Sequence, residues 1–123
     1  MTTDDSTARE RAEQIESALS QHCGSQTFTR YLGGLLLTQG ALDMAERCKA
    51  FWLLDVVASY QPGLRREPFQ TWTLTVTDRS GAVVATDGNG RELRTQRIDY
   101  TDFPLDTIEL WCVGGTIMLP SEY

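Results

Sequence analysis

The chain reads as an α+β domain in which two N-terminal helices pack on one face of a four- to five-stranded antiparallel meander sheet. Three observations predict this. Apolar residues recur at helical spacing up to residue 61, the period changes to two after residue 68, and reversal signals then follow at short intervals. At 123 residues the chain is the size of one ordinary domain, 1–123, able to bury about two thirds of its unfolded surface without staples.

Residues 1–5 are polar and are expected to fray. Over 6–23, Ala8, Ala12, Ile15, Leu19 and Cys23 line one helical stripe against Arg9, Glu10, Glu13 and Glu16, and Gly24 stops it. That stripe is thin, which predicts a peripheral helix. Residues 28–38 form an apolar connector interrupted by Gly33-Gly34, and the pattern does not decide between helix and strand. Gly40 opens a central helix over 40–61, with Ala41, Ala45, Cys48, Trp52, Asp55 and Ser59 along one face and Pro62-Gly63 as its stop. From Ala50 to Tyr60 that helix is apolar on every side except at Asp55. A carboxylate taken out of water costs several kcal/mol unless it is hydrogen-bonded or paired, so the fold must supply donors there or leave a cleft.

The sheet is expected over 69–119. Trp72, Leu74 and Val76 alternate with Thr71, Thr73, Thr75 and Thr77, as in a half-buried strand with a threonine face toward water. Asp78-Arg79-Ser80-Gly81 makes a turn, 82–86 a second strand, and Asp87-Gly88-Asn89-Gly90 a tight reversal. Residues 93–100 read as a third strand, 108–113 as a fourth and 116–119 as a short fifth.

The net charge is −6, and it is uneven. Residues 1–27 carry five acids and two bases, 28–90 six of each, and 91–123 six acids and three bases. An acidic balance disfavours direct binding to a phosphate backbone and suits a protein partner with a basic surface. Cys23, Cys48 and Cys112 have no CxxC or CxxH spacing, which argues against a disulfide framework and a zinc cluster. No apolar run reaches the length of a membrane span, no leader pattern opens the chain, and the expected location is cytoplasmic.

Asp55 is the first candidate for chemistry, since a buried carboxylate can act as general acid or base, but a structural acceptor is the plainer role. A pocket reading would place Trp52, Asp55, Ser59 and Tyr60 around it. His22 and Cys23 are adjacent in sequence, so they point to different helix faces and form no nucleophile–base pair by proximity. Cys48 and Cys112 read as small core residues. The run from Asp87 to Glu92 looks like a calcium loop only at its start, because the twelfth position is Ile98 rather than a bidentate acid. No phosphate-binding loop is present, and no metal or cofactor is called for. The acidic run Asp99, Asp102, Asp106 and Glu109, interleaved with Tyr100, Phe103 and Trp111, is the candidate interaction surface. Arg91, Arg94 and Arg97 form a short basic stripe expected to face acids across the sheet.

Four separated motifs carry a resemblance. Gly40 followed by Ala50 to Gln61, Phe69-Gln70-x-Trp72-x-Leu74, Tyr100-Thr101-Asp102-Phe103-Pro104-Leu105-Asp106 and Leu119-Pro120-Ser121-Glu122-Tyr123 together resemble an uncharacterised family of small proteins, a domain of unknown function found in bacterial, plasmid and phage genomes. The resemblance covers roughly 28–123, with the N-terminal helix outside it. In that family a histidine often stands where this chain has Tyr60, which weakens any acid–base role at the end of the central helix. The resemblance brings no activity. It implies a mobile-element setting, and hence a non-enzymatic protein that binds and blocks a host defence or nucleic-acid-processing effector. The rival readings are an enzyme or ligand-binding domain with its pocket over Asp55, and a homo-oligomer in which the apolar connector from Tyr31 to Leu37 pairs with itself across a twofold axis.

Overall fold

The computed structural model describes residues 3–24 and 26–123, with side chains from Thr7 onward. Helix α1 (Thr3–Leu19) leads to a short hairpin, β1 (Thr29–Arg30) and β2 (Leu36–Leu37), then α2 (Gln39–Arg47) and α3 (Phe51–Tyr60). Five further strands follow: β3 (Phe69–Thr77), β4 (Ser80–Thr86), β5 (Glu92–Ile98), β6 (Thr107–Val113) and β7 (Thr116–Met118). All seven join one sheet in the order β1-β2-β7-β6-β3-β4-β5.

The α+β class stands, but the sheet has seven strands where four to five are expected, and it corrects the expected meander in two further ways. It is mixed, because β2 runs parallel to β7, with Leu36 opposite Thr116 and Leu37 opposite Ile117. And β6 pairs with β3 rather than with β5, so β6-β3-β4-β5 has the spatial order of a Greek key. The connection over 99–106 makes this crossover possible. It buries Phe103 and Leu105 in the core and ties itself down through Thr101 N–H to Arg79 O (2.8 Å) and Val76 N–H to Asp106 O (2.8 Å). The connector that the sequence leaves undecided is the hairpin β1–β2, reversed by a 3₁₀ turn at Leu32–Gly34 in which Gly33 (φ 66°) and Gly34 (φ 79°) take left-handed conformations.

The first helix is shifted toward the N-terminus relative to the expected 6–23. It ends at Leu19, so Cys23 lies beyond it and is exposed, while Ile15 and Leu19 are its buried residues. Of the residues expected to fray, Met1 and Thr2 lie outside the described residues, and Thr3 to Asp5 begin the helix. His22 and Arg47 both reach Asp43 (2.9 and 2.7 Å), joining the segment after α1 to α2.

The expected central helix is two helices. Lys49 takes φ 51°, and the chain closes a Schellman motif in which Ala50 N–H donates to Ala45 O (2.8 Å) and Lys49 N–H to Glu46 O (3.4 Å). Glycine is the usual residue at that position, so a lysine there leaves no sequence mark of the break. The kink lets α2 bury Ala41, Met44 and Ala45 and α3 bury Leu53, Leu54 and Val57 against one sheet face, where Trp72, Leu74, Val83, Ala85, Leu110, Cys112 and Ile117 form the other half of the core. Replacing Lys49 with Gly removes a left-handed penalty of about 1–2 kcal/mol and adds a glycine entropy cost of about 0.5–1. The expected result is a rise in Tm of about 2–4 °C by calorimetry.

The C-terminal residues clasp the start of α2. Glu122 accepts hydrogen bonds from Gly40 N–H (3.0 Å), Thr38 Oγ1–H (2.6 Å) and Leu119 N–H (2.9 Å), while Thr38 Oγ1 accepts from Ala41 N–H (3.1 Å). These bonds satisfy backbone donors that a helix start leaves open and set a carboxylate at its positive end. Gly40 is required by closeness, not by φ: a Cβ there would fall 2.6 Å from Glu122 Cδ and 2.8 Å from Leu119 Cδ1. Glu122→Ala and Gly40→Ala are each expected to destabilise by about 1–3 kcal/mol in chemical denaturation. The double variant is expected to cost less than the sum, because removing the carboxylate makes room for the methyl group.

Candidate functional site

On the outer face of the sheet Thr71 and Thr73 of β3 lie opposite Trp111 and Glu109 of β6, and among the described residues no α-helix packs on them. Strand alternation forces this arrangement. Trp72 and Leu110 point into the core, so their neighbours point out. At one end of this face Phe69, Trp111 and Tyr123 form a three-ring cluster in edge-to-face contact, with centroids 5.1 to 5.8 Å apart. Trp111 Nε1–H donates to Glu109 Oε2 (2.6 Å), which fixes the indole and leaves a carboxylate at the edge of the rings. Tyr123 is 73 % exposed, yet it is held in place because its own chain clasps α2 through Glu122.

The four acids of the candidate interaction surface do not come together. Glu109 stands with Trp111 on the open face. Asp102 and Asp106 flank α1 instead, Asp106 beside Arg9, Glu13 and Glu16 and Asp102 beside Arg11 and Arg79. Asp99 sits at the end of β5, 3.7 Å from the Arg97 guanidinium, with both groups almost fully in solvent. Sequence spacing misplaces them because the crossover over 99–106 leaves the sheet between Asp99 and Glu109. Of the basic stripe, only Arg97 meets such an acid; Arg91 holds Glu67 (2.8 Å) and Arg94 reaches Gly63 O (3.3 Å).

The pocket candidates separate in the same way. Asp55 is exposed, not withdrawn from water, because Phe51, Asp55 and Ser59 make the solvent stripe of α3. The phenol of Tyr31 donates to Asp55 Oδ1, and the Tyr31 ring stacks on Phe51 at 6.5 Å. Partial burial, then the hydrogen bond and the negative charge of Asp55, push the Tyr31 phenol up to about 12. Trp52 is half-buried against the core, and Tyr60 links α3 to the sheet by donating to Gln96 Oε1 (2.9 Å) with its ring 5.8 Å from Trp72. None of these four lines the cleft beside the end of the helix. That cleft, about 440 Å³, lies at the C-terminal end of α3 between Ala58, Gln61, Leu64 and the turns at Gly33 and Gly114-Gly115.

The floor of the cleft contains a group that sequence reasoning passed over. Gln70 is fully buried, paired with Gln61 by two reciprocal amide bonds (2.8 and 3.0 Å), and it also accepts from Trp72 Nε1–H (2.9 Å) and donates to Glu67 O (2.9 Å). Its mark in the sequence is a polar residue in phase with Trp72 and Leu74 on the buried face. Asp87 closes the β4–β5 turn, accepting from Asn89 N–H (2.8 Å) and Arg91 N–H (3.1 Å). The Asn89 bond, with that from Arg91, holds its carboxyl below the usual range. Among the described residues no three acids, histidines or cysteines are placed to hold a metal ion, and no helix is long and apolar enough to cross a membrane.

The fold and its exposed face define a helix-backed mixed-sheet domain with an aromatic cluster on its open side. The chain belongs to a family of unknown function, DUF6876, which matches residues 13–123. The match therefore takes in the second half of α1, beyond the span that the motifs carry. No curated protein and no solved structure matches the chain.

Burial pushes the thiols of Cys48 and Cys112 up to about 11, opposed in part by Arg11 at Cys48 and by the Gly115 N–H at Cys112. Cys23 is exposed. At pH 8 only about one in a thousand of the buried thiols is thiolate, so one cysteine is expected to react with a thiol reagent in the native protein and all three after unfolding. Both buried thiols titrate above their ordinary value of 9, so their contribution to stability is complete below pH 9 and is lost as pH rises toward 11.

Proposed function

We propose that this protein acts by binding another protein, and that the partner offers a basic surface to the open face of the sheet. The observation that supports this best is the Phe69–Trp111–Tyr123 cluster with Glu109 at its edge, on a face where, among the described residues, no α-helix packs. Aromatic rings beside a carboxylate suit an arginine or lysine side chain, which gains from the ring faces and from the charge together. Trp and Tyr are also the residues that concentrate binding energy in protein interfaces. A standard interface needs about 800 Å² from each partner, so the loops beside this face would take part in it.

The net charge of −6 and the family resemblance support a narrower form of this reading: an acidic protein of mobile-element type that occupies the basic groove of a host defence or nucleic-acid-processing effector. The test is capture of partners on the tagged protein from nuclease-treated bacterial lysate, with Trp111→Ala and Glu109→Lys beside the wild type. A partner that survives nuclease and is weakened roughly thirtyfold or more by Trp111→Ala is the expected result. If reversal of Asp102 and Asp106 releases that partner and the sheet-face changes do not, the interface lies beside α1 and the sheet-face reading is wrong.

A further inference from the structure

In a chain that carries six more acids than bases, four of the eleven basic residues, Arg65, Arg66, Arg91 and Arg94, gather at one place. They line a groove of about 380 Å³ that adjoins the 440 Å³ cleft and shares Pro62, Leu64, Arg65 and Glu67 with it. We infer that cleft and groove together form a binding site for a small anion with an apolar body, an organic phosphate or carboxylate.

The two halves have complementary chemistry. The walls of the 440 Å³ cleft are apolar, from Leu35, Ala58, Pro62, Leu64 and Pro68, and its volume lies within the usual range of small-molecule sites, about 300–1,000 Å³. On its floor the hydrogen-bonding capacity of Gln70 is spent, whereas Gln61 Oε1 accepts only from Gln70 and keeps one acceptor position for a ligand N–H or O–H.

The groove is built for negative charge. Glu67, the acid that lines both spaces, is gripped through both oxygens by Arg91 (2.8 and 3.1 Å), so its charge is answered from within the protein. Arg94 is held over the chain by its bond to Gly63 O (3.3 Å), and a Cβ at Gly63 would come within 3.0 Å of that guanidinium. Arg65 and Arg66 are exposed and make no hydrogen bond or ion pair among the described residues, which leaves two forked donors for a ligand oxyanion.

The test is titration of the whole protein with adenosine monophosphate, 1-naphthoate and 8-anilinonaphthalene-1-sulfonate, followed by calorimetry and by amide shifts in NMR spectra. At least one probe is expected to bind at a single site and to shift the amides of residues 61–67 and 114–115. The first two probes separate a phosphate head from a carboxylate. Arg65→Gln/Arg66→Gln, which alters only exposed groups without partners, is expected to weaken that probe tenfold or more, and Ala58→Phe, which fills the cleft, to abolish binding. If Ala58→Phe does not fold by circular dichroism, the arginine pair decides alone. Failure of every probe to bind below millimolar concentration would overturn the inference, as would affinity unchanged by the arginine double variant. Trp111→Ala is expected to leave probe binding intact; loss there would mean that the probe sits on the aromatic cluster and would also overturn it. The site stands apart from the sheet-face interface, so either can fail without the other.

Discussion

The contact between Glu122 and the start of α2 holds together parts of the chain that are more than eighty residues apart. It answers the open donors of Gly40 and Thr38, and it fixes the end of the chain against the middle. Much else depends on it. The strand that precedes it, β7, lies beside β2 in the sheet's parallel pair, and Thr38 N–H donates to Ile117 O (3.1 Å). The residue that follows it, Tyr123, is thereby positioned on Phe69 and Trp111. A helix cap, a parallel strand pair and an exposed ring cluster share one carboxylate.

Seen in the fold, the motifs behind the family resemblance have structural work. The segment around Asp55 is a helix whose apolar sides are mostly buried and whose one carboxylate meets Tyr31 in solvent. The run from Tyr100 to Asp106 is the crossover that carries β6 past β4 and β5 to the far side of β3, and its Phe103 and Leu105 close the end of the core. The final five residues form the clasp. Gln70, whose own amide donors and acceptors are all used, holds the turn before β3 to the end of α3, the kind of buried polar group that gives a core one arrangement rather than several. None of these motifs brings a nucleophile and a base together.

Outside the motifs' buried parts the fold carries two surfaces of opposite character. The outer sheet face has aromatic rings and a carboxylate; the end of α3 has an apolar cleft beside four arginines. Net charge hides this division. An overall balance of −6 describes neither surface, because Arg65 and Arg66 meet Arg91 and Arg94 only when β5 is folded against the turn after α3.

The sequence by itself determined the strands with strong alternation and the turns between them. The period-two run from Thr71 to Val76 places each side chain correctly, inner or outer, since a one-residue slip would turn every apolar residue to water. It also determined that Cys48 and Cys112 are core residues and that the stretch from Asp87 to Gly90 is a turn. Only the tertiary structure decided the rest, and for identifiable reasons. Two-residue strands such as β1 and β2 carry no periodicity, so residues 28–38 had no local signature. A lysine in a glycine's conformation hid the break between α2 and α3. Asp55 looked buried because Phe51 and Ser59, its neighbours on the same stripe, gave no sign that the stripe faces solvent. Which strand lies beside β3, where each acid of the 99–109 run ends up, and how distant arginines converge all depend on pairings between remote segments, and local spacing has no bearing on those.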